Sequence, residues 1–147
     1  EQRKRETTKN QMVTSSLLEA EKRLLGLISQ SKKLYKMSSA QIKAEEFATN
    51  VYRRLAKSMY DSYENGMSPD PAMMLNDFSG DDLSEASEVF YNLEVYSGDE
   101  ETVKELLYTI KLEKLNMRIN AETDPTNLMD LFKQREELLN EKNTWEE

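Results

Sequence analysis

The apolar positions of this chain repeat at helical spacing, and the longest uninterrupted stretch runs from Asp99 to Glu122. Three consecutive acidic residues at its start complement the helix dipole, and no Gly or Pro follows before Pro125. About 24 residues at about 1.5 Å each give a rod of roughly 36 Å. The pattern therefore predicts one long helix near the end of the chain.

The apolar residues of this long helix form two stripes on nearly opposite faces. The first stripe comprises Val103, Leu106, Leu107 and Ile110, and the second comprises Tyr108, Leu112, Leu115 and Ile119. Because each stripe needs its own partner surface, we expect the first half to close a globular body and the second half to pack against the next helix. That helix starts at Asp124 and Pro125, and the short connection predicts an antiparallel hairpin.

Several shorter helical patterns precede the long helix. The first starts at Ser16, which we expect to form a capping box with Glu19, and another covers residues 48–66. The sequence thus predicts an all-α protein, a multi-helix globular bundle followed by a long helix and a C-terminal antiparallel helical hairpin. We expect a linker or frayed helix start at residues 1–15, a helical body at 16–110 and the hairpin at 111–147.

Composition and charge narrow the possible chemistry. The chain has neither Cys nor His, which excludes thiolate nucleophiles, disulfides, Cys/His zinc sites and imidazole general bases. Its net charge of −8 argues against bulk attraction to nucleic acid or to an anionic membrane. Paired acids occur near predicted helix starts or on polar faces, where a solvated surface is the ordinary reading. We therefore expect no catalysis, metal or cofactor in this chain.

The predicted hairpin is the best candidate for a binding surface. Met117 and Met129 fall off its main stripes, and soft apolar side chains at such places suit an adaptable partner surface. From helix facing, we predict partner contacts by Met117, Arg118, Met129, Lys133, Gln134, Glu137, Leu138 and Glu141. We expect Leu112, Leu115, Ile119, Leu128 and Phe132 to hold the hairpin together.

The order of these features resembles two related bacterial domains. Leu18 to Leu25 reads as a glutamate-containing segment leading into a leucine pair, and Glu46-Phe47 precedes a helix containing Tyr52 and Arg53. This order is similar to the C-terminal helicase-binding domain of the replicative DNA primase and to the N-terminal domain of the replicative helicase. The terminal hairpin, the lack of a Gly-Gly element and the Tyr where the helicase form commonly has His favour the primase domain.

The primase resemblance carries a set of expectations. It implies that the hairpin docks on the N-terminal domains of the hexameric replicative helicase and that the body helps to modulate helicase activity during DNA replication. The parent enzyme would make primers with upstream domains that hold zinc and magnesium. Because the chain starts with Glu, we expect it to be a piece of such a longer protein. We further expect a cytoplasmic bacterial location, a monomer in isolation, and no direct contact with nucleic acid or membrane.

Three alternatives remain open from the sequence. The chain could be the N-terminal domain of the helicase itself, a self-associating module that binds primase. It could be a small acidic metal-dependent enzyme, which would require a carboxylate cluster around the metal. It could also be a helical scaffold without a specific target.

Overall fold

A computed structural model describes residues 13–91 and 99–144, and the regular elements of this part of the chain are all helices, without a strand. Its elements are α1 (Ser15–Ile28), α2 (Lys32–Ser39), a 3₁₀ turn (Ala44–Glu46), α3 (Asn50–Glu64), α4 (Pro71–Leu75), α5 (Gly80–Tyr91), α6 (Glu100–Ala121) and α7 (Pro125–Thr144). The predicted all-α fold is confirmed. Trp145 and a small basic cluster of Arg3, Lys4, Arg5 and Lys9 lie outside the described residues.

The described chain divides into two compact units. Residues 19–107 belong to one, here named the body, and residues 13–18 with 108–144 belong to the other, here named the hairpin unit. The boundary falls inside α6, between Leu107 and Tyr108. Each unit is described by itself below.

Helix α3 supplies the main apolar face of the body. Val51, Leu55, Met59 and Tyr63 repeat about one turn apart, as the sequence predicts, and all four are buried. Thr49 starts the helix by accepting a 3.0 Å hydrogen bond from the Tyr52 N–H. The helix ends before Gly66, whose φ of 75° lies in the left-handed region that glycine adopts without strain.

Buried tyrosines tie neighbouring segments of the body to α3. Tyr35 stacks on Tyr63, with ring centroids 4.6 Å apart, and meets Tyr60 edge-on at 5.1 Å. The Tyr60 hydroxyl donates to the Ile42 carbonyl at 2.9 Å, and the Tyr63 hydroxyl donates to the Ile28 carbonyl at 2.6 Å. The Ile28 carbonyl is one of the terminal acceptors that α1 cannot satisfy itself. Burial raises the pKa of both phenols, so they remain protonated donors.

A second set of polar contacts fixes the segment that leads into α3. Glu21 of α1 is fully buried, and its Oε1 accepts a 2.9 Å hydrogen bond from the Ala48 N–H. Arg53 Nη1 donates to the carbonyls of Phe47 and Ala48 at 3.0 and 3.2 Å. The segment is held from both sides, which keeps the Phe47 side chain in the core. The Glu46-Phe47 step is therefore a packing feature of this fold.

Two local sequence predictions are wrong. Thr14, and not Ser16, caps α1, because Thr14 Oγ1 accepts from the Leu17 N–H at 3.0 Å, while Glu19 pairs with Lys22 at 3.1 Å. The short helical pattern that starts at Asp70 also predicts that Met73 packs inward, but the Met73 side chain is 68% exposed. Helix α4 has only five residues, and Met74 is its buried position.

The hairpin unit is built on a small core between α6 and α7. Tyr108, Leu115, Leu131 and Leu138 are buried together, with Leu112 and Ile119 packed against them. The Lys142 Nζ lies 4.4 Å from the centroid of the Tyr108 ring, which joins the end of α7 to α6. The second apolar stripe predicted for α6 thus packs on the return helix.

The turn of the hairpin is closed by local hydrogen bonds. Glu122 Oε2 accepts from the N–H groups of Thr123 and Asp124 at 3.2 Å each. Asp124 Oδ1 accepts from the Thr126 N–H at 2.8 Å, and Pro125 occupies the first position of α7. These contacts start α7 immediately after α6 ends, which allows the two helices to pack along their lengths.

Replacing Tyr63 with Phe should lower the free energy of unfolding by about 0.5–1.5 kcal/mol, because the buried Ile28 carbonyl loses its 2.6 Å hydrogen bond and keeps only the 3.3 Å bond from the Ser31 N–H. Urea unfolding followed by circular dichroism measures this change. Tyr91→Phe is the matched control, since the Tyr91 side chain is exposed and should change stability by less than about 0.5 kcal/mol. Equal unfolding midpoints for Tyr63→Phe and the wild type would contradict the assignment.

Replacing Leu115 with Asp should destabilise the hairpin unit by several kcal/mol, because it places a carboxylate in the small core between α6 and α7. Hydrogen exchange should then show loss of protection along α7. Asn127→Asp adds the same carboxylate at an exposed position in the first turn of α7 and should leave protection intact. Unchanged protection in Leu115→Asp would refute this account of the core.

Candidate protein-interaction site

Helix α7 exposes an apolar stripe in addition to the face that packs on α6. Met129, Phe132 and Leu139 are 73%, 42% and 42% exposed. At about 100° per residue, Phe132 and Leu139 point within about 20° of each other, and Met129 lies about 60–80° to one side. We name these three residues the apolar stripe. Phe132, which the sequence analysis assigned to the hairpin core, lies outside that core.

The Phe132 ring is held in place by its own helix. The Arg135 guanidinium lies 5.2 Å from the ring centroid, and Arg135 Nη1 donates to Asn116 Oδ1 of α6 at 2.8 Å. The hydrogen bond fixes Arg135 against α6, and the cation–π contact orients the ring from one side. The Phe132 ring therefore has a defined orientation within the stripe.

On nearly the opposite side of α7, two adjoining recesses run along the hairpin. Their volumes are about 450 and 410 Å³, and both are lined by Arg118 and Gln134. We name them together the groove. The α6 wall carries the cations Lys111, Lys114 and Arg118, followed by the carboxylate of Glu122 at the turn, and the α7 wall carries the carboxylates Asp130, Glu137 and Glu141. Leu115, Leu131 and Leu138 form its apolar floor.

The structure distributes the predicted contact residues over these two surfaces. Arg118, Gln134, Glu137, Leu138 and Glu141 line the groove. Leu138 is largely buried in the hairpin core and presents only its edge there. Met129 belongs to the stripe, whereas Lys133 is exposed elsewhere on α7 and Met117 is half-buried on α6. Their roles as partner contacts stay predictions.

Sequence reasoning missed several residues that line these surfaces. Lys111 and Lys114 precede Arg118 at spacings of three and four residues, which places the three cations on one face of α6. That periodicity was readable from the sequence. The exposure of Phe132 and Leu139 was not, because both also fit an inward apolar pattern.

Neither a metal site nor a membrane span emerges from the described residues. Within residues 13–91 and 99–144, no group of three or more acidic side chains is placed to hold a metal ion. In the same part of the chain, no helix combines the length and apolar character needed to cross a bilayer.

Comparison with known families gives one match. The family model described as the DnaB-like helicase N terminal domain matches residues 13–114, well over half of the chain. The matched range covers α1 to α5 and most of α6, and ends before α7. No curated protein and no solved structure matches the chain.

This match corrects the assignment to the primase. The matched family is the helicase domain and not the C-terminal helicase-binding domain of primase, so the primase recognition is wrong, and the primase parent and primosome role that followed from it are withdrawn. The features that favoured primase do not discriminate physically. Tyr52 is a buried core residue of α3, and a terminal hairpin requires only two helices with matching apolar stripes. By the extent of the match, this chain belongs to the DnaB-like helicase N-terminal domain family.

Proposed function

We propose that the chain is a non-catalytic assembly module of a replicative DNA helicase and that it self-associates through the apolar stripe of α7. The family match supports the helicase assignment. The observation that carries the assembly role is the exposure of Met129, Phe132 and Leu139 on one side of α7. The monomeric state expected above went with the primase assignment, and self-association replaces it here.

The stripe is more than scattered surface apolarity. Single exposed apolar residues are common on soluble proteins, whereas several on one side of one helix mark a contact surface. Fully burying a Leu, Phe or Met side chain contributes roughly 1.5–3 kcal/mol relative to full exposure. These three side chains are about half exposed or more, so covering them would contribute a sizeable part of that amount each.

A second copy is the partner that this surface fits most simply. In a twofold interface the same patch meets itself, so a single apolar stripe is sufficient to make the contact. Lys133 and Glu136 lie on the same side of the stripe. In an antiparallel pair of α7 helices, Lys133 of each copy would come near Glu136 of the other, which adds charge complementarity at the rim.

Binding to primase belongs to the same proposal. The resemblance described in the sequence analysis implies that the N-terminal domain of the helicase binds primase. The described residues provide two separate surfaces on α7, which leaves room for more than one partner.

Replacing Phe132 with Glu should weaken self-association by at least about tenfold, because it places a charge in the stripe. A tenfold change in the dissociation constant corresponds to a loss of about 1.4 kcal/mol of binding free energy. Sedimentation equilibrium over a wide concentration range measures it. Met73→Glu is the control, since Met73 is also an exposed apolar residue, at 68% against 42% for Phe132, but lies on α4 of the body. A wild-type chain that stays monomeric throughout, or a Phe132→Glu chain that associates like the wild type, would contradict the proposal.

A further inference from the structure

We infer that the groove is a second docking surface, which takes an amphipathic helix of a partner protein with an acidic edge toward α6 and a basic edge toward α7. This goes beyond self-association through the stripe. It rests on the proposed function only in treating the hairpin as an assembly element. Its support is the arrangement of charge along the two walls.

The walls carry opposite charge in ordered rows. Lys111, Lys114 and Arg118 follow one another along α6. On α7, Glu137 and Glu141 face them, and Asp130 continues the acidic row toward the turn. An occupant of uniform charge would meet repulsion on one wall, whereas a helix with one acidic and one basic edge is complementary to both.

The spacing of these rows favours a helical occupant. Side chains on each wall repeat every three or four residues, with an axial step of about 4.5–6 Å. A helix presents its own edges at the same step, but a strand places successive side chains of one face about 6.6–6.8 Å apart. From Asn127 to Glu141 the α7 wall is about 21 Å long, which corresponds to about 14 helical residues.

The floor and the openness of the groove point to the same kind of partner. Leu115, Leu131 and Leu138 offer only their edges, because they are mostly buried in the hairpin core. The groove is open and walled by long charged side chains, unlike the concave, mainly apolar sites that enclose small molecules. A flat apolar strip on a helix could rest on this floor while its edges meet the walls.

Docking does not require the wall charges to be unengaged before binding. Lys111 and Lys114 already take part in interactions within the chain. Exposed ion pairs are worth only about 0–1 kcal/mol, so exchanging them for contacts to a partner costs little. Charge pattern would then set the orientation of the partner, and the floor would add a modest apolar contribution.

The stripe and the groove can be occupied at the same time. Phe132 and Leu139 point about 140–180° away from Glu137 and Glu141 around the axis of α7, and Met129 points about 80–120° away from them. A second copy seated on the stripe therefore leaves the groove accessible. The hairpin would then join self-association on one side to partner capture on the other.

Three synthetic helical peptides of about 14 residues test this inference. All three carry the same leucine strip. The mixed peptide has Glu on one edge of the strip and Lys on the other. The all-Lys peptide has Lys on both edges, and the all-Glu peptide has Glu on both edges. Binding to the isotopically labelled full chain is followed by amide chemical shifts at about 0.15 M salt, where long-range charge effects are screened. We expect the mixed peptide to bind at least fivefold more tightly than either other and to shift amides in residues 111–118 and 130–141. The net charge of −8 alone would favour the all-Lys peptide.

Charge reversal on one wall provides the matched variant. In Lys111→Glu/Lys114→Glu/Arg118→Glu both walls are acidic, so the all-Lys peptide should become the tightest binder and the mixed peptide should lose at least fivefold. Such an inversion does not depend on how strongly any one peptide binds. The same affinity order in variant and wild type, or no saturable binding of the mixed peptide to the wild type, would overturn the inference.

Phe132→Glu separates this result from the proposed self-association. That variant should keep its affinity for the mixed peptide, because the stripe is not part of the groove. Loss of peptide binding in Phe132→Glu would place the peptide on the stripe and overturn the inference. If the triple variant without peptide also sediments as a smaller species than the wild type, the groove holds a second copy, and the inference is again overturned.

Discussion

The structure depends on one constraint, which is that helix α6 must bury two apolar stripes on nearly opposite faces. Val103, Leu106 and Leu107 are buried within the body, whereas Tyr108 and Leu115 are buried within the hairpin unit. A helix cannot satisfy two opposite stripes with one partner, because a single packed neighbour covers only one face. The stretch of α6 after Leu107 therefore requires a helix of its own, and α7 meets that requirement.

The same constraint explains why α7 has surface to offer. Its buried contribution is small, with Leu131 and Leu138 in the hairpin core, and the rest of its circumference is left for solvent or for partners. One side carries the apolar stripe, which Arg135 helps to order, and the other forms the acidic wall of the groove. In the body, by contrast, buried polar atoms hold the elements together. Tyr60 and Tyr63 of α3 donate hydrogen bonds to the carbonyls of Ile42 and Ile28, and Glu21 of α1 accepts one from the Ala48 N–H.

The correction from primase to helicase shows where sequence reasoning reached its limit. The order of elements, from the opening helix through Glu46-Phe47 to α3, was recognised as common to both domains. The choice between them rested on Tyr52, on the terminal hairpin and on the lack of a Gly-Gly element. Tyr52 is buried in the core of the body, so its identity reflects packing and not the partner that the domain binds. The family match covers residues 13–114 and ends before α7. It therefore assigns the chain to the helicase domain on the helices that precede α7, which both resemblances have in common.

The sequence by itself determined the helical class, the long α6 with its two stripes, the start of α7 at Asp124 and Pro125, and the inward face of α3. These features follow from local periodicity and capping, which act within a few residues of the chain. Only the tertiary structure decided that Thr14 caps α1, that Met73 faces outward, and that Phe132 and Leu139 are exposed while Leu138 is buried. Periodicity shows that a residue fits an apolar face, but the neighbouring helix covers only part of that face. Which of Phe132, Leu138 and Leu139 is covered depends on how α7 is rotated against α6, and that rotation is set by packing between the two helices.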